Sequence, residues 1–418
     1  MMVRKVERCR ICGGKVSKIM DLGNQKLTGV FPAQGEDVED GELTLVKCVE
    51  SEGCGLVQLG YSFDPEKMYG NNYGYRSGLN KSMVEHLDGL VAEAVRYRGG
   101  VSEGDFVLDI GSNDGTLLSL YDKHVNVKLD KVGIDPSGGK FHKYYADDVV
   151  LIPEFFTAER IRKEKGLKKA KIVTSIAMFY DLEDPVRFAS DIASILHEEG
   201  IWIAEQSYFP LMVKANAYDT VCHEHIEYYA LKQILWIADK AGLKVVHVSM
   251  DDTNGGSFRT TFAKKASPLP VDEGVTLMQH EEDVGGVNSF AYVDALRAGT
   301  ERSRQALLKF LNKQKSEGRL VLGYGASTKG NVVLQYCGID RELLPAIAEV
   351  NEDKFGKRTP GTDIPIISET EAKAMKPDYF LVLPWHFKSN ILKRESSYMR
   401  SSGCKFVFHL PEFEVIEL

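Results

Sequence analysis

The densest run of reactive side chains is Tyr218-Asp-Thr-Val-Cys-His-Glu-His-Ile-Glu-Tyr-Tyr229, with His223, Glu224 and His225 adjacent and Tyr218, Tyr228 and Tyr229 around them. This set suits proton transfer. An imidazole, with an ordinary pKa near ~6.5, accepts a proton close to neutral pH. A tyrosine or a second histidine holds an oxyanion. A base beside such a donor can strip a C–H proton next to a carbonyl and keep the resulting enolate. The zinc-protease order His-Glu-x-x-His does not occur here. The bland alternative is a surface loop with incidental histidines.

A second cluster is of thiols. Cys9-Arg-Ile-Cys12-Gly-Gly is a tight knuckle, and Cys48-Val-Glu-Ser-Glu-Gly-Cys54 offers another pair with five intervening residues. Four thiolates suit tetrahedral zinc in a small, poorly cored module. The alternatives are a redox dithiol or unrelated thiols. Seven cysteines, four of them before residue 55, fit metal binding better than a disulfide framework. A closed four-thiolate site leaves no open position for catalysis.

Two Gly-rich turns follow apolar runs. In Phe106-Val-Leu-Asp-Ile-Gly-Ser-Asn-Asp-Gly-Thr, Gly111 allows close backbone approach, and the helix start beyond it offers N–H groups. Val132-Gly-Ile-Asp-Pro136 ends in Asp135, where an acid gripping ribose belongs. A dinucleotide favours Gly-x-Gly-x-x-Gly. Here Asp109 and Asp114 suit an ammonium-bearing ligand instead, and S-adenosylmethionine has an amine, a sulfonium and a ribose but no phosphate. Ser175-Ile-Ala-Met-Phe-Tyr180, after a later strand, suits the methionine end and the substrate pocket.

The other turn, Val321-Leu-Gly-Tyr-Gly-Ala-Ser-Thr-Lys329, combines Gly325 with Ser327, Thr328 and Lys329 as an anion cradle for phosphate, although helix packing alone also explains the glycines. Asn351, Lys357 and Trp385 follow later strands and meet that turn at one sheet edge. A solvated loop explains the Lys357-Arg358 pair equally well. Asn254, in Asn-Gly-Gly-Ser, is either a substrate contact or a hairpin turn.

These residues need elements to hold them. Apolar runs at 106–110, 132–134, 171–175, 200–205 and 244–250 alternate with helical stretches, predicting a mostly parallel sheet covered on both faces. The alternation resumes at 319–323, 346–350, 379–383 and 405–410. The division expected is 1–68, a zinc module with short β-like runs; 69–265, an α/β cofactor domain; 266–318, a linker with a polar helix over 288–316; and 319–418, a second, smaller α/β unit. The 418 residues carry a net charge of −8, which disfavours a general nucleic-acid footprint. No apolar run reaches the ~20 residues of a membrane helix. The first residues lack the apolar core of a secretory signal, so a cytoplasmic location is expected.

Together these segments resemble the sugar C-methyltransferase family of nucleotide-linked deoxysugar pathways. The resemblance spans nearly the whole chain. It runs through the Cys pairs, Tyr-Arg-Ser-Gly at 75–78, Asp-Ile-Gly-Ser-Asn-Asp-Gly at 109–115, Cys-His-Glu-His at 222–225, Asn-Gly-Gly-Ser at 254–257 and Gly-Tyr-Gly-Ala-Ser at 323–327. It implies an α/β fold: an N-terminal zinc module, a central Rossmann-like methyltransferase domain and a C-terminal Rossmann-like domain.

It implies zinc on Cys9, Cys12, Cys48 and Cys54, and S-adenosylmethionine held by Asp109, Gly111, Asn113, Asp135, Pro136, Phe155, Ser175 and Met178. A nucleotide-linked 4-keto sugar is expected between the middle and C-terminal domains, against Tyr180, Tyr218, Asn254, Gly325, Ser327, Thr328, Lys329, Asn351, Lys357 and Trp385. The sugar is deprotonated at C3 and the enolate takes the methyl group. Glu224-His225 matches the family's Glu-His, the histidine being the base, and Tyr75 matches an aromatic loop closing over the reaction centre.

Two features depart from the pattern. The second Cys pair is widened, and Cys222-His223 stand where some relatives look like Tyr-Asp, so His223 is expected to hold the enolate oxygen. Oxygen or nitrogen methylation, or a nicotinamide-dependent enzyme using the C-terminal turn, are the competing readings. A monomer or weak homodimer without nucleic-acid or membrane partners is expected.

Overall fold

The protein is described by a computed structural model covering residues 4–50, 53–64, 76–97, 99–251 and 256–418. Its first strands are β1 (Arg4–Lys5), β2 (Val16–Lys26), β3 (Asp40–Cys48), β4 (Val57–Leu59) and β5 (Tyr61–Ser62). β2, β3 and β4 pair antiparallel, and β1 pairs with β5. Leu43, Leu45, Leu56 and Leu59 are fully buried, which is why these short strands hold.

α1 (Lys81–Tyr97) turns Leu87, Leu90, Val91 and Ala94 inward at helical spacing. The middle unit then alternates: β6 (Phe106–Ile110), α2 (Thr116–His124), β7 (Asp130–Ile134), α3 (Gly138–Phe141), β8 (Val149–Ile152), α4 (Ala158–Lys165), β9 (Ala170–Ile176), α5 (Pro185–Ile195), β10 (Leu196–Ser207), α6 (Phe209–Lys214), β11 (Glu227–Tyr228), α7 (Leu231–Lys240), β12 (Leu243–Asp251) and β13 (Ser257–Lys264). The sheet order is β12-β13-β10-β9-β6-β7-β8, with β13 antiparallel to both neighbours. β6 is buried along its whole length, as a strand covered on both faces must be. Asp184 caps α5 by accepting from the Arg187 N–H at 2.9 Å, with Pro185 in the first turn.

α8 (Glu273–Val284) and α9 (Phe290–Ser316) lead to the third unit. α9 is not simply a polar spacer. Val293, Leu296, Leu307 and Leu311 form a buried stripe that packs on α6 and β14 (Val321–Tyr324). There follow α10 (Thr328–Cys337), β15 (Ile347–Glu349), β16 (Ile366–Ser368), α11 (Glu369–Ala374), β17 (Tyr379–Val382), α12 (Lys388–Ser402), β18 (Lys405–Phe408) and β19 (Glu414–Ile416). Their order is β16-β15-β14-β17-β18-β19, all parallel except β19. In both parallel sheets the strand order reverses beside the strand that precedes a Gly-rich turn, where such sheets open a crevice.

β11 does not belong to the middle sheet. It pairs with β4, giving the order β11-β4-β3-β2. One continuous cluster of buried apolar side chains runs from Cys9 to Leu410, so the units share a core. No helix among the described residues is long and apolar enough to cross a membrane.

Candidate active site

The two Gly-rich turns, Cys222, Glu224 and His225, and the arm after β2 line one cavity of about 1070 Å³. At one end lie Asp109, Gly111, Asn113 and Asp114. Asp109 is buried at the end of β6 and accepts from Thr174 Oγ1 at 2.6 Å; burial lifts its carboxyl to about 7. Asp135 accepts from the Asn113 N–H at 2.8 Å and from the Ser137 N–H at 2.7 Å, so it shapes the turn. Asn113 Oδ1 and Asp114 Oδ2 accept from the Ser77 and Gly78 N–H groups, which ties the segment before α1 to this turn. A buried acid lining a cavity calls for a cationic ligand, and the ammonium of S-adenosylmethionine fits it.

The middle of the cavity is lined by Tyr180, Cys222, Glu224 and His225. His225 Nδ1 lies 3.1 Å from the Thr220 carbonyl, which can only accept, so the proton is on Nδ1 and the lone pair on Nε2. Burial and the Lys329 charge hold this imidazole down to about 3, hence neutral. Tyr180 packs edge-on against the ring at 4.5 Å, and Tyr228 donates to the His225 carbonyl at 2.8 Å. Burial raises the Glu224 carboxyl. Gly29 passes so close that a Cβ there would stand 2.0 Å from Glu224 Oε1.

The far wall holds Gly325, Ser327, Thr328, Lys329, Asn351 and Lys357. Ser327 Oγ caps α10 by accepting from the Gly330 N–H at 3.0 Å. Glu349 accepts from the Ala326 N–H at 2.9 Å, fixing this turn as Asp135 fixes the other.

The four cysteine Sγ atoms lie within 4.8 Å of one another, with Cys9–Cys54 at 3.4 Å, Cys12–Cys48 at 3.5 Å and Cys12–Cys54 at 3.6 Å. Tetrahedral zinc with ~2.3 Å bonds sets sulfurs ~3.8 Å apart, so the donor set fits. The Cys9–Cys54 hydrogen bond pulls the Cys9 thiol down and pushes Cys54 up, and metal binding needs the thiolate forms. The widened spacing is taken up at Gly53, where a Cβ would stand 2.8 Å from Cys48 Sγ.

Several expected residues lie off the cavity. His223 is fully buried against Thr28 and Gly41, so it is not placed to hold an enolate oxygen. Tyr218 is buried beside Cys337 and Tyr336. Trp385 turns inward and donates to Asp219 Oδ2 at 2.8 Å, and the neighbouring His386 lines the cavity in its place. Ser175 accepts from Trp202 Nε1 at 2.9 Å. Met178 packs where a Cβ on Gly111 would fall, Asp135 and Pro136 sit behind the turn, and Phe155 is exposed at the surface. Tyr75 and Asn254 lie outside the described residues. Sequence reading missed Cys222 as a lining residue, Gly29 and Phe31 of the arm, and His386. Only the Leu-Pro-Trp-His-Phe run carried a signal, and it pointed to the wrong ring.

Three family models match consecutive stretches. One described as "putative zinc binding domain" covers residues 9–69, a methyltransferase domain covers 83–248, and a C-methyltransferase C-terminal domain covers 252–411. C-methyltransferase NovU of Streptomyces niveus is 29% identical over 419 residues, spanning 99% of this chain and 98% of that protein. Among solved structures, the mitomycin 7-O-methyltransferase MmcR is 15% identical with a TM-score of 0.34, covering 44% of this chain and 54% of that one. The CcbJ methyltransferase from Streptomyces caelestis is 10% identical with a TM-score of 0.32, covering 42% and 89%.

Proposed function

We propose that this chain, matched along its length by zinc-binding, methyltransferase and C-methyltransferase models, is an S-adenosylmethionine-dependent C-methyltransferase whose acceptor is a carbon beside the ketone of a nucleotide-linked sugar. The observation that carries the reading is the tautomer of His225. Its Nδ1–H is committed to Thr220, which leaves Nε2 to take a proton in a cavity between an acid suited to the donor and an anion cradle.

Bound S-adenosylmethionine supplies an electrophilic methyl group on a sulfonium. Asp109 and the 111–114 turn hold its charged end. Thr328 and the start of α10 take the diphosphate side of the sugar nucleotide, and Tyr180 and Cys222 wall the sugar. His225 Nε2 removes the C3 proton, and the Lys329 ammonium, whose field already reaches His225, offsets the charge arriving on the C4 oxygen. An anion beside Lys329 also offsets the smaller of the two causes that depress the imidazole, burial being the larger, so substrate binding raises the basicity of His225. Glu224 lines the same cavity beside His225, its carboxyl raised by burial. Zinc on the four cysteines takes no part in these steps.

The test is solvent exchange. With S-adenosylhomocysteine bound, a nucleoside-diphosphate 4-keto-6-deoxyhexose in D2O gains deuterium at C3, and His225→Ala does not exchange. Normal exchange in that variant overturns the base assignment, and methyl transfer without any exchange in the wild-type protein favours an oxygen or nitrogen acceptor.

A further inference from the structure

Glu224 and His225 belong to the middle unit by sequence, yet both ends of their segment are held by the first unit. Upstream is His223. Its Nδ1 accepts from the Thr28 N–H at 3.5 Å and lies 3.3 Å from Thr28 Oγ1. Its Nε2 lies 3.2 Å from the Gly41 carbonyl, so Nε2 carries the proton and Nδ1 the lone pair. Phe63 packs edge-on against this ring at 4.8 Å. Downstream, the Leu59 N–H donates to the Ile226 carbonyl at 2.8 Å, and β11 pairs Glu227 with Gln58 and Tyr228 with Val57.

The partner strand is itself tied to the metal knuckle. Arg10 lies between Cys9 and Cys12, and its side chain is 3% exposed. Its guanidinium donates to Gln58 Oε1 at 3.2 Å, the Leu59 carbonyl at 2.8 Å and the Tyr61 carbonyl at 3.3 Å. The Cys54 carbonyl accepts from Gln233 Nε2, just beyond β11, at 2.6 Å. A two-residue strand such as β11 has no stability of its own. It exists only while β4 offers a ladder, and β4 is three residues of a small module whose folding depends on its metal.

We propose that the cysteine module is the positioning device of the proton-transfer pair. Metal on Cys9, Cys12, Cys48 and Cys54 fixes Arg10 and β4, and these fix residues 223–228 on either side of Glu224 and His225. His223 is accordingly a positioning residue and not a proton carrier. The catalytic consequence rests on His225 being the base, whereas the coupling itself is testable without that reading.

The experiment compares the full chain, zinc-loaded and chelator-stripped, by hydrogen–deuterium exchange, with S-adenosylhomocysteine affinity measured by calorimetry on the same samples. Stripping zinc removes protection from 57–62 and 221–229, leaves 106–118 protected and leaves the affinity unchanged. Unchanged protection at 221–229, or equal loss along the whole chain, overturns the proposal. His223→Phe retains its zinc, exchanges faster at 221–229 and slows C3 exchange about 100-fold with KM unchanged. His223→Gln, which keeps a donor and an acceptor, recovers most of both. His223→Phe with protection and rate like the unaltered protein also overturns it. Absence of C3 exchange in the unaltered protein removes the base reading, and the protection pattern still decides the coupling.

Discussion

Asp109 shows how one residue's surroundings set its task. Burial raises its carboxyl to about 7 from an ordinary value near 3.8, so its ionisation destabilises the folded protein fully above pH 7, and that penalty is lost progressively as pH falls from about 7 to about 4, where the unfolded chain's carboxyl takes its proton too. Asp109→Asn therefore raises Tm at pH 8 by a few degrees while weakening S-adenosylhomocysteine binding, read by calorimetry and titration. The same sign predicts that affinity for that ligand falls below pH 7 in the unaltered protein, because a proton competes with the ammonium. His225, held at about 3, contributes nothing to that acid limb. Gly29→Ala places a methyl against Glu224 Oε1, the movable end of a side chain, so the carboxylate yields and the fold does not. Turnover drops about 10–100-fold with Tm and zinc content retained. Much of this chemistry was legible in the sequence, since Asp109, Glu224, His225 and the four cysteines stand in runs of reactive types. Trp385 and His386 were not separable, because adjacent residues in a single turn face opposite ways and no periodicity says which one faces the ligand.

At the scale of elements, near-continuous apolar runs announced β6, β7, β9, β10 and most strands of the third unit, because a strand covered on both faces is built mainly from apolar side chains. β11 could not be read. It is two residues within a polar, aromatic run, and its partner lies in another unit. α10 opens on Ser327, whose hydroxyl is spent on its own cap, which leaves Lys329 as the charged group facing the cavity from this helix. Lys329→Met lowers C3 exchange at saturating substrate by about 100-fold with a smaller change in KM, as loss of an oxyanion partner does. A loss confined to KM assigns Lys329 to the diphosphate instead.

For the molecule as a whole, the contact between the second and third units centres on Trp385 and Asp219. Asp219 is fully buried with its carboxyl raised, so Trp385→Phe leaves an oxygen without its donor and costs about 1–3 kcal/mol, seen as a lower Tm by calorimetry. The first and third units also meet. The Lys26 N–H donates to Gln335 Oε1 at 2.8 Å, Gln335 Nε2 returns a bond to the Lys26 carbonyl at 3.1 Å, and Asn331 Nδ2 donates to the Thr28 carbonyl at 2.8 Å. This latch governs how the protein can be re-engineered. A chimera that imports a relative's residues 319–418 to change acceptor choice breaks three bonds at residues 26–28, immediately before the glycine that clears room for Glu224. Residues 26–36 must therefore travel with the graft, or the hybrid will recognise its new sugar and leave it unmethylated.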